Sequence, residues 1–208
     1  PDIKSLINRS MKQVDFELFV FYPNSGFYSS YKCGILTMWE GSDVPSPWVE
    51  GLNRFQHVFA PSEFVANVFI NSGVTANVYP LPLGIDIDKY KTINRNYDGK
   101  RTFKFLTVGK MEPRKNVETL VDAFRIQFST KENVELWIKT RERFCSPYVK
   151  NASKEDPRIH IIEKTMNEEE LINLYYICDC FVYPSRGEGF AFPPRNAIAT
   201  GMPTAVTN

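Results

Sequence analysis

Apolar residues recur along this chain in two rhythms. Short apolar runs alternate with longer stretches in which they return every third or fourth position. That alternation predicts strands joined by helices, and hence parallel sheets covered by helices. In the first half, Phe16 to Tyr22 and Gly34 to Trp39 read as strands. Ser46-Pro47 opens a helix with Trp48, Val49, Leu52 and Phe55 on one face. His57 to Ala60 is a further strand, and Ser62 caps a helix carrying Val65, Val68 and Phe69 that stops at Gly73. Asn77 to Leu83 completes this half.

From Asp86 to Arg101 the composition turns polar and loses its period, as an interlobe linker would. The second half then restarts with a strand from Phe103 to Val108. Asn116 opens a helix with Val117, Leu120, Val121, Phe124 and Phe128 along one stripe. Val134 to Ile138 and Ile159 to Ile162 are further strands. Asn167 followed by three glutamates is a capping box ahead of Leu171, Leu174, Tyr175 and Cys178. Asp179 to Tyr183 and Thr204 to Val206 are the last two strands. The expectation is α/β, with two Rossmann-like lobes facing across a cleft: residues 1–90, a linker over 91–101, and residues 102–208. No internal repeat or low-complexity segment appears.

Composition narrows the class. The 208 residues are 43% hydrophobic and 14% aromatic, enough for packed cores and against disorder. A net charge of +1 gives no case for nucleic acid as the main partner, and none is expected. No apolar run reaches the roughly 18 residues of a membrane span, and no signal peptide opens the chain. The cysteines at 33, 145, 178 and 180 lack framework spacing; Cys178 and Cys180 read as apolar fillers in a reducing compartment. The expected location is therefore cytoplasmic, with a peripheral membrane contact left open. His160 stands alone near Cys178 and Cys180, so no metal is expected.

The most informative stretch runs from Tyr183 through Pro-Ser-Arg-Gly to Glu188 and on to Pro203. A buried run ends in a Pro-Ser turn, a glycine-flanked acid follows, and a helix starts with two prolines and ends at Gly201. Strand, glycine-containing loop and helix N-terminus together suit a phosphate. The acid Glu188 would be repelled by phosphate and better suits neutral hydroxyls, so the combination suggests a sugar nucleotide. Lys110 and Lys115 follow the strand Phe103–Val108, where open α/β sheets bind ligands.

These residues resemble the donor-site motif of the retaining glycosyltransferases of family 4, which have the GT-B fold. There a Pro-Ser-x-x-Glu-Gly-Phe-Gly loop is followed, after seven residues, by a second glutamate. Glu188, Gly189 and Phe190 match; Ala191 stands for the last glycine, and Asn196 for the second acid. The resemblance implies that Glu188 contacts the donor sugar and that Asn196 reaches the ribose without charge assistance. It also implies that Lys110 and Lys115 hold the diphosphate, with Arg114 beside them. Lys139 either adds charge near the phosphates or is a surface lysine. Thr165 and Met166 lie in the loop that touches the base. In the first lobe, Thr37-Met-Trp-Glu40-Gly-Ser-Asp43 through Trp48 resembles a family segment that would set Glu40 and Asp43 near acceptor hydroxyls. The resemblance further implies a chain shortened at both ends.

The expected activity is transfer of a sugar from a nucleotide-diphosphate donor to a saccharide or lipid-linked acceptor, with retention and without metal or other cofactor. Glu188, Lys110 and Lys115 would be the catalytic set. The other reading is a non-catalytic nucleotide-sugar-binding or interaction module. Neither the donor sugar and base nor the oligomeric state is legible.

Overall fold

The computed structural model describes residues 15–23 and 32–207. The chain divides into two units, Pro1–Leu83 and Gly84–Asn208. In the first, strands β1 (Glu17–Val20), β2 (Cys33–Leu36), β3 (His57–Ala60) and β4 (Asn77–Pro80) form a parallel sheet in sequential order. Helices α1 (Ser46–Leu52) and α2 (Glu63–Asn71) supply the crossovers from β2 to β3 and from β3 to β4. Ser62 accepts a hydrogen bond from the Val65 amide at 3.3 Å and starts α2, and Gly73, at φ +97°, ends that segment. Ile35, Leu52, Val58, Val65 and Phe69 are fully buried and form the core of this unit. Each such side chain contributes about 1.5–3 kcal/mol by leaving water. The first strand is shorter than the apolar run predicted, because Phe21 and Tyr22 lie beyond it and are exposed.

The second unit carries β5 (Phe103–Val108), α3 (Val117–Gln127), β6 (Val134–Thr140), α4 (Pro147–Glu155), β7 (Ile159–Glu163), α5 (Glu168–Ile177), β8 (Cys180–Tyr183), α6 (Phe192–Ala199) and β9 (Thr204–Val206). The sheet is parallel throughout, in the order β7-β6-β5-β8-β9. Alternate residues of each strand serve opposite faces. Phe105 packs with α3 and α4 residues such as Val121, Phe124 and Val149, whereas Leu106 packs with Leu174, Tyr175 and Ala197 of α5 and α6. Helix α4 lies outside the predicted elements. Its signals are the Ser146 cap, whose hydroxyl accepts from the Val149 amide at 3.2 Å, and Pro147 in the first turn.

The polar stretch expected as a linker over 91–101 belongs instead to the second unit. Tyr90 is buried against Tyr175, with ring centroids 6.0 Å apart. Thr92 donates to the Ala199 carbonyl at 2.9 Å. Arg95 donates to the carbonyls of Cys178 at 2.5 Å, Tyr175 at 2.9 Å and Thr200 at 3.3 Å, and to the Thr200 hydroxyl at 3.0 Å. Those carbonyls lie at the C-terminal ends of α5 and α6, which lack intrahelical donors and carry partial negative charge. One guanidinium thus caps two helices. Gly201, at φ +73°, sits under the same strap; a Cβ there would lie 2.9 Å from Thr92 Cγ2.

Replacing Arg95 by alanine leaves several carbonyls unpaired and should lower stability by about 2–3 kcal/mol. A urea melt of the variant that overlays the wild-type curve would refute this capping role.

Candidate functional site

Because every strand of the second unit runs the same way, the loops after β5, β6, β7 and β8 all emerge at one edge of the sheet. Strands β5 and β8 are hydrogen-bonded neighbours, so the loops that follow them are adjacent. The β5 loop contains a 3₁₀ turn, Pro113–Lys115, and then Asn116 in a left-handed conformation at φ 55°. Asparagine tolerates that region better than most residues.

These two loops are stitched together by charge. Lys115 Nζ lies 2.5 Å from Glu188 Oε1 and donates to the Tyr183 hydroxyl at 2.7 Å. Ser185 Oγ donates to the same carboxylate oxygen at 2.5 Å, and Arg114 approaches it at 3.0 Å. Arg114 also donates to the Gly187 carbonyl at 2.6 Å, and the Arg186 amide donates back to the Arg114 carbonyl at 2.8 Å. The Lys115 and Glu188 side chains are only 13% and 19% exposed, so neither charge could be left unpaired cheaply. Burial pushes the Glu188 carboxyl up. Hydrogen bonds from Lys115 and Ser185, with the charges of Lys115 and Arg114, outweigh this and hold it below the usual range. Burial, and then the Glu188 charge, push the Tyr183 phenol up, so it stays a neutral donor or acceptor.

Beside this network a pocket of about 510 Å³ opens at the ends of β5, β6 and β7. Gly109, Lys110, Lys139, Arg141, Thr165 and Met166 are among its lining residues. A volume of this size suits a small-molecule ligand. A Cβ at Gly109 would lie 3.9 Å from the Tyr183 hydroxyl, which ties the pocket to the Lys115–Glu188 pair. The structure therefore brings Lys110, Lys139, Thr165 and Met166 to one pocket, with Arg114, Lys115 and Glu188 next to it. Lys110 is exposed, 3.9 Å from Glu112 and above the Phe144 ring at 4.9 Å.

Two expectations change in detail. Lys139 is not a surface lysine. It is buried, and its Nζ donates to the carbonyls of Thr140 and Lys164, both at 2.7 Å. A buried ammonium needs acceptors, and strand ends supply them. The helix N-terminus also offers fewer donors than the strand–loop–helix layout implies, because Pro193 and Pro194 in the first turn of α6 carry no N–H. Asn196 is half-buried beside the Tyr175 hydroxyl, which completes no hydrogen bond. Phe190 is buried, with the Arg195 guanidinium 4.0 Å from its ring centroid and Arg195 Nε donating to the Phe190 carbonyl. Gly189 is also buried.

Sequence reasoning missed Tyr183, Ser185 and Arg141. Tyr183 reads as a core strand residue and Ser185 as a turn residue, and only their long-range partners distinguish them. In the first unit, Trp39 Nε1 donates to the Asp43 carbonyl at 2.7 Å, and the Asp43 carboxylate accepts from Ser72 at 3.3 Å. Trp39 and Trp48 pack at 4.7 Å, and the exposed Tyr22 meets Trp48 edge-on at 5.7 Å. Glu40 follows Trp39 and is partly exposed. Among the described residues no group of three His, Cys, Asp or Glu side chains is placed to hold a metal ion, and no helix is long and apolar enough to cross a membrane.

Residues 87–208 match the model of the family described as glycosyl transferases group 1. The serotype-specific mannosyltransferase WbdA of Escherichia coli is 30% identical over 113 residues, which are 50% of this chain and 13% of that protein. The O-antigen chain mannosyltransferase B of the same organism is 30% identical over 117 residues, 50% of this chain and 28% of that one. The chain thus spans a minor part of the relatives it matches. Among solved structures, a sucrose-phosphate synthase from Thermosynechococcus elongatus aligns with TM-score 0.70 at 14% identity, over 92% of this chain and 55% of its own. That likeness is one of fold, the α/β architecture of two parallel sheets found in GT-B glycosyltransferases.

Two outcomes follow from the loop geometry. Ala191 sits at φ 61°, which strains an L-residue by about 1–2 kcal/mol, partly offset by the greater freedom glycine has when unfolded. Ala191→Gly should therefore stabilise the protein by about 0.5–1 kcal/mol, and a lower melting temperature would contradict this. Because the Glu188 carboxyl is held low, its contribution is complete above the ordinary value of 4.5 and is lost as pH falls through the lowered one. In urea melts across the acid range, Glu188→Gln should remove that part of the pH dependence. An unchanged acid limb would show that the carboxylate is not held by its partners.

Proposed function

The chain belongs to the glycosyl transferases group 1 family, and from that premise we propose that its second unit binds a nucleotide-diphosphate sugar. The whole protein would transfer that sugar to a hydroxyl of a saccharide or lipid-linked acceptor. The observation that carries the reading is the pocket at the sheet edge, with Lys110 in its wall and the Lys115–Glu188 pair beside it. Cations there suit a diphosphate, and a carboxylate within reach suits sugar hydroxyls. Thr165 and Met166 would form the wall against the base, and Asn196 would reach the ribose. The names of the two mannosyltransferases favour mannose as the transferred sugar.

As the glycosidic bond breaks, negative charge develops on the departing diphosphate. Lys110, Lys115 and Arg114 would stabilise it, so no metal is needed in this scheme. Glu188 would orient the sugar through its hydroxyls. Transfer would proceed with retention, the leaving phosphate itself taking the acceptor proton. In the free site Lys115 is occupied by Glu188, so the donor would exchange one anion for another on the same ammonium. On the acceptor side, Glu40 and Asp43 lie beside the aromatic group of Trp39, Trp48 and Tyr22, whose faces suit the apolar face of a pyranose. The neutral Asn196 beside Tyr175 favours a second reading, a module that binds the nucleotide sugar without transferring it.

Calorimetry with UDP, GDP and ADP and their sugar conjugates, without added metal, tests this. One base should bind, and Lys115→Ala should weaken its diphosphate at least about tenfold, or roughly 1.4 kcal/mol. Undiminished binding by Lys115→Ala would remove Lys115 from the site. Binding of the conjugate without release of nucleoside diphosphate in the presence of manno-oligosaccharides would favour the binding module.

A further inference from the structure

Lys139 is the charged side chain most deeply set into the pocket wall, at 6% exposure. It belongs to β6, and the strand end it occupies is registered against β7, with Lys139 opposite Ile162 and Thr140 opposite Glu163. Its Nζ donates to Thr140, the last residue of β6, and to Lys164, the first residue after β7. The ammonium therefore bridges the open end of the β6–β7 pair, where the ladder stops and carbonyls lose their partners. The next two residues, Thr165 and Met166, line the pocket. Their far end is held independently. The Asn167 amide donates to Glu170 at 2.9 Å, the Glu170 amide donates to the Asn167 side chain at 2.8 Å, and Lys164 Nζ lies 2.8 Å from Glu170.

We infer that Lys139 is a positioning residue: its ammonium ties the Lys164–Met166 loop to the end of β6 and so fixes the pocket wall that Thr165 and Met166 form. It acts on the ligand through that loop rather than by touching phosphate. This rests on the proposal that the pocket takes a nucleotide. Three features support it. Both hydrogen bonds of the ammonium go to carbonyls, and the one to Lys164 spans 25 residues of chain. Burial, then the neighbouring charges of Arg141 and Lys164, disfavour the ammonium, with Glu170 opposing them, so the two carbonyl bonds matter to a group held at this depth. Finally, an apolar residue would fill the same volume, so a charged group at this depth is explained by the bonds it makes.

The test uses the full chain with Lys139→Met, which keeps the stem and removes the donors, and Lys139→Arg, which restores them. In nucleotide-free protein, hydrogen exchange at the Thr165 and Met166 amides should rise about tenfold in Lys139→Met and return toward wild type in Lys139→Arg. Core amides of Val121 and Leu106 should stay protected in both. Should Lys139→Met fail that control, Lys139→Gln, whose amide keeps a donor, takes its place. Calorimetry then compares the nucleoside diphosphate that wild type binds with its uncharged nucleoside. A positioning role predicts that both weaken by the same factor, about tenfold, in Lys139→Met. Unchanged loop exchange, or a loss confined to the diphosphate, would overturn the inference and make Lys139 a phosphate ligand or a bystander. Wild type binding no nucleotide would sink the donor reading instead, while the exchange measurement would still decide the tie.

Discussion

The contact between Lys115 and Glu188 is the constraint on which the site depends. Each side chain comes from a different loop, and each is too deeply set to carry its charge alone. Their meeting requires that β5 and β8 be neighbours, that both run in the same sense, and that the loops beyond them turn toward each other. Ser185 and Arg114 add contacts to the same carboxylate oxygen, and the Tyr183 hydroxyl accepts a further bond from Lys115. The result is a preorganised loop pair, with a carboxylate fixed in position and an ammonium beside it. On the proposed reading, a diphosphate enters by taking over part of what Glu188 now supplies to Lys115, and the carboxylate is then available to hydroxyls.

That loop pair needs a firm helix behind it, and α6 is short. Its N-terminus has no side-chain cap and begins with two prolines, so its first turn is fixed by ring geometry more than by hydrogen bonds. Its C-terminus is fixed by the strap. Arg95 and Thr92 bond the last carbonyls of α6, and Arg95 bonds those of α5 as well. Thr92 and Arg95 therefore hold the C-terminal end of the helix that follows the Glu188 loop, while the prolines leave its N-terminal end fewer donors of its own.

Local signals were legible in the sequence, and long-range partnerships were not. Ser62 before α2, the Asn167–Glu170 box and Gly201 after α6 are each decided within a few residues, and each reads correctly. The parallel sheets follow from short apolar runs separated by helical stripes. Helix α4 escapes because only Val149 and Ala152 face the core, too few to show a period. Arg95 looks like any arginine in a polar stretch, since its acceptors lie some eighty or more residues on. Lys139 fails for the same reason. Its position at a strand end was readable, but whether the ammonium turned outward to a ligand or inward to a carbonyl depends on Lys164, just after the next strand. Glu188, Lys110 and Lys115 stand out in the sequence because their spacing along the chain matches a motif, whereas Tyr183 and Ser185 have meaning only through contacts.

The electrostatics also assign an order to the cations. Lys110 and Glu112 are 43% and 40% exposed and 3.9 Å apart, and an ion pair of that kind is worth at most about 1 kcal/mol. Arg114 and Glu112 meet at 3.5 Å with similar access to water. An anion approaching the sheet edge can displace these contacts at little cost. The Lys115–Glu188 pair is different: it is shorter, less exposed and backed by three further groups, so breaking it without replacement costs more. On the proposed reading, Lys110 would therefore be the cation an incoming diphosphate meets first, and Lys115 the one it would have to win from Glu188.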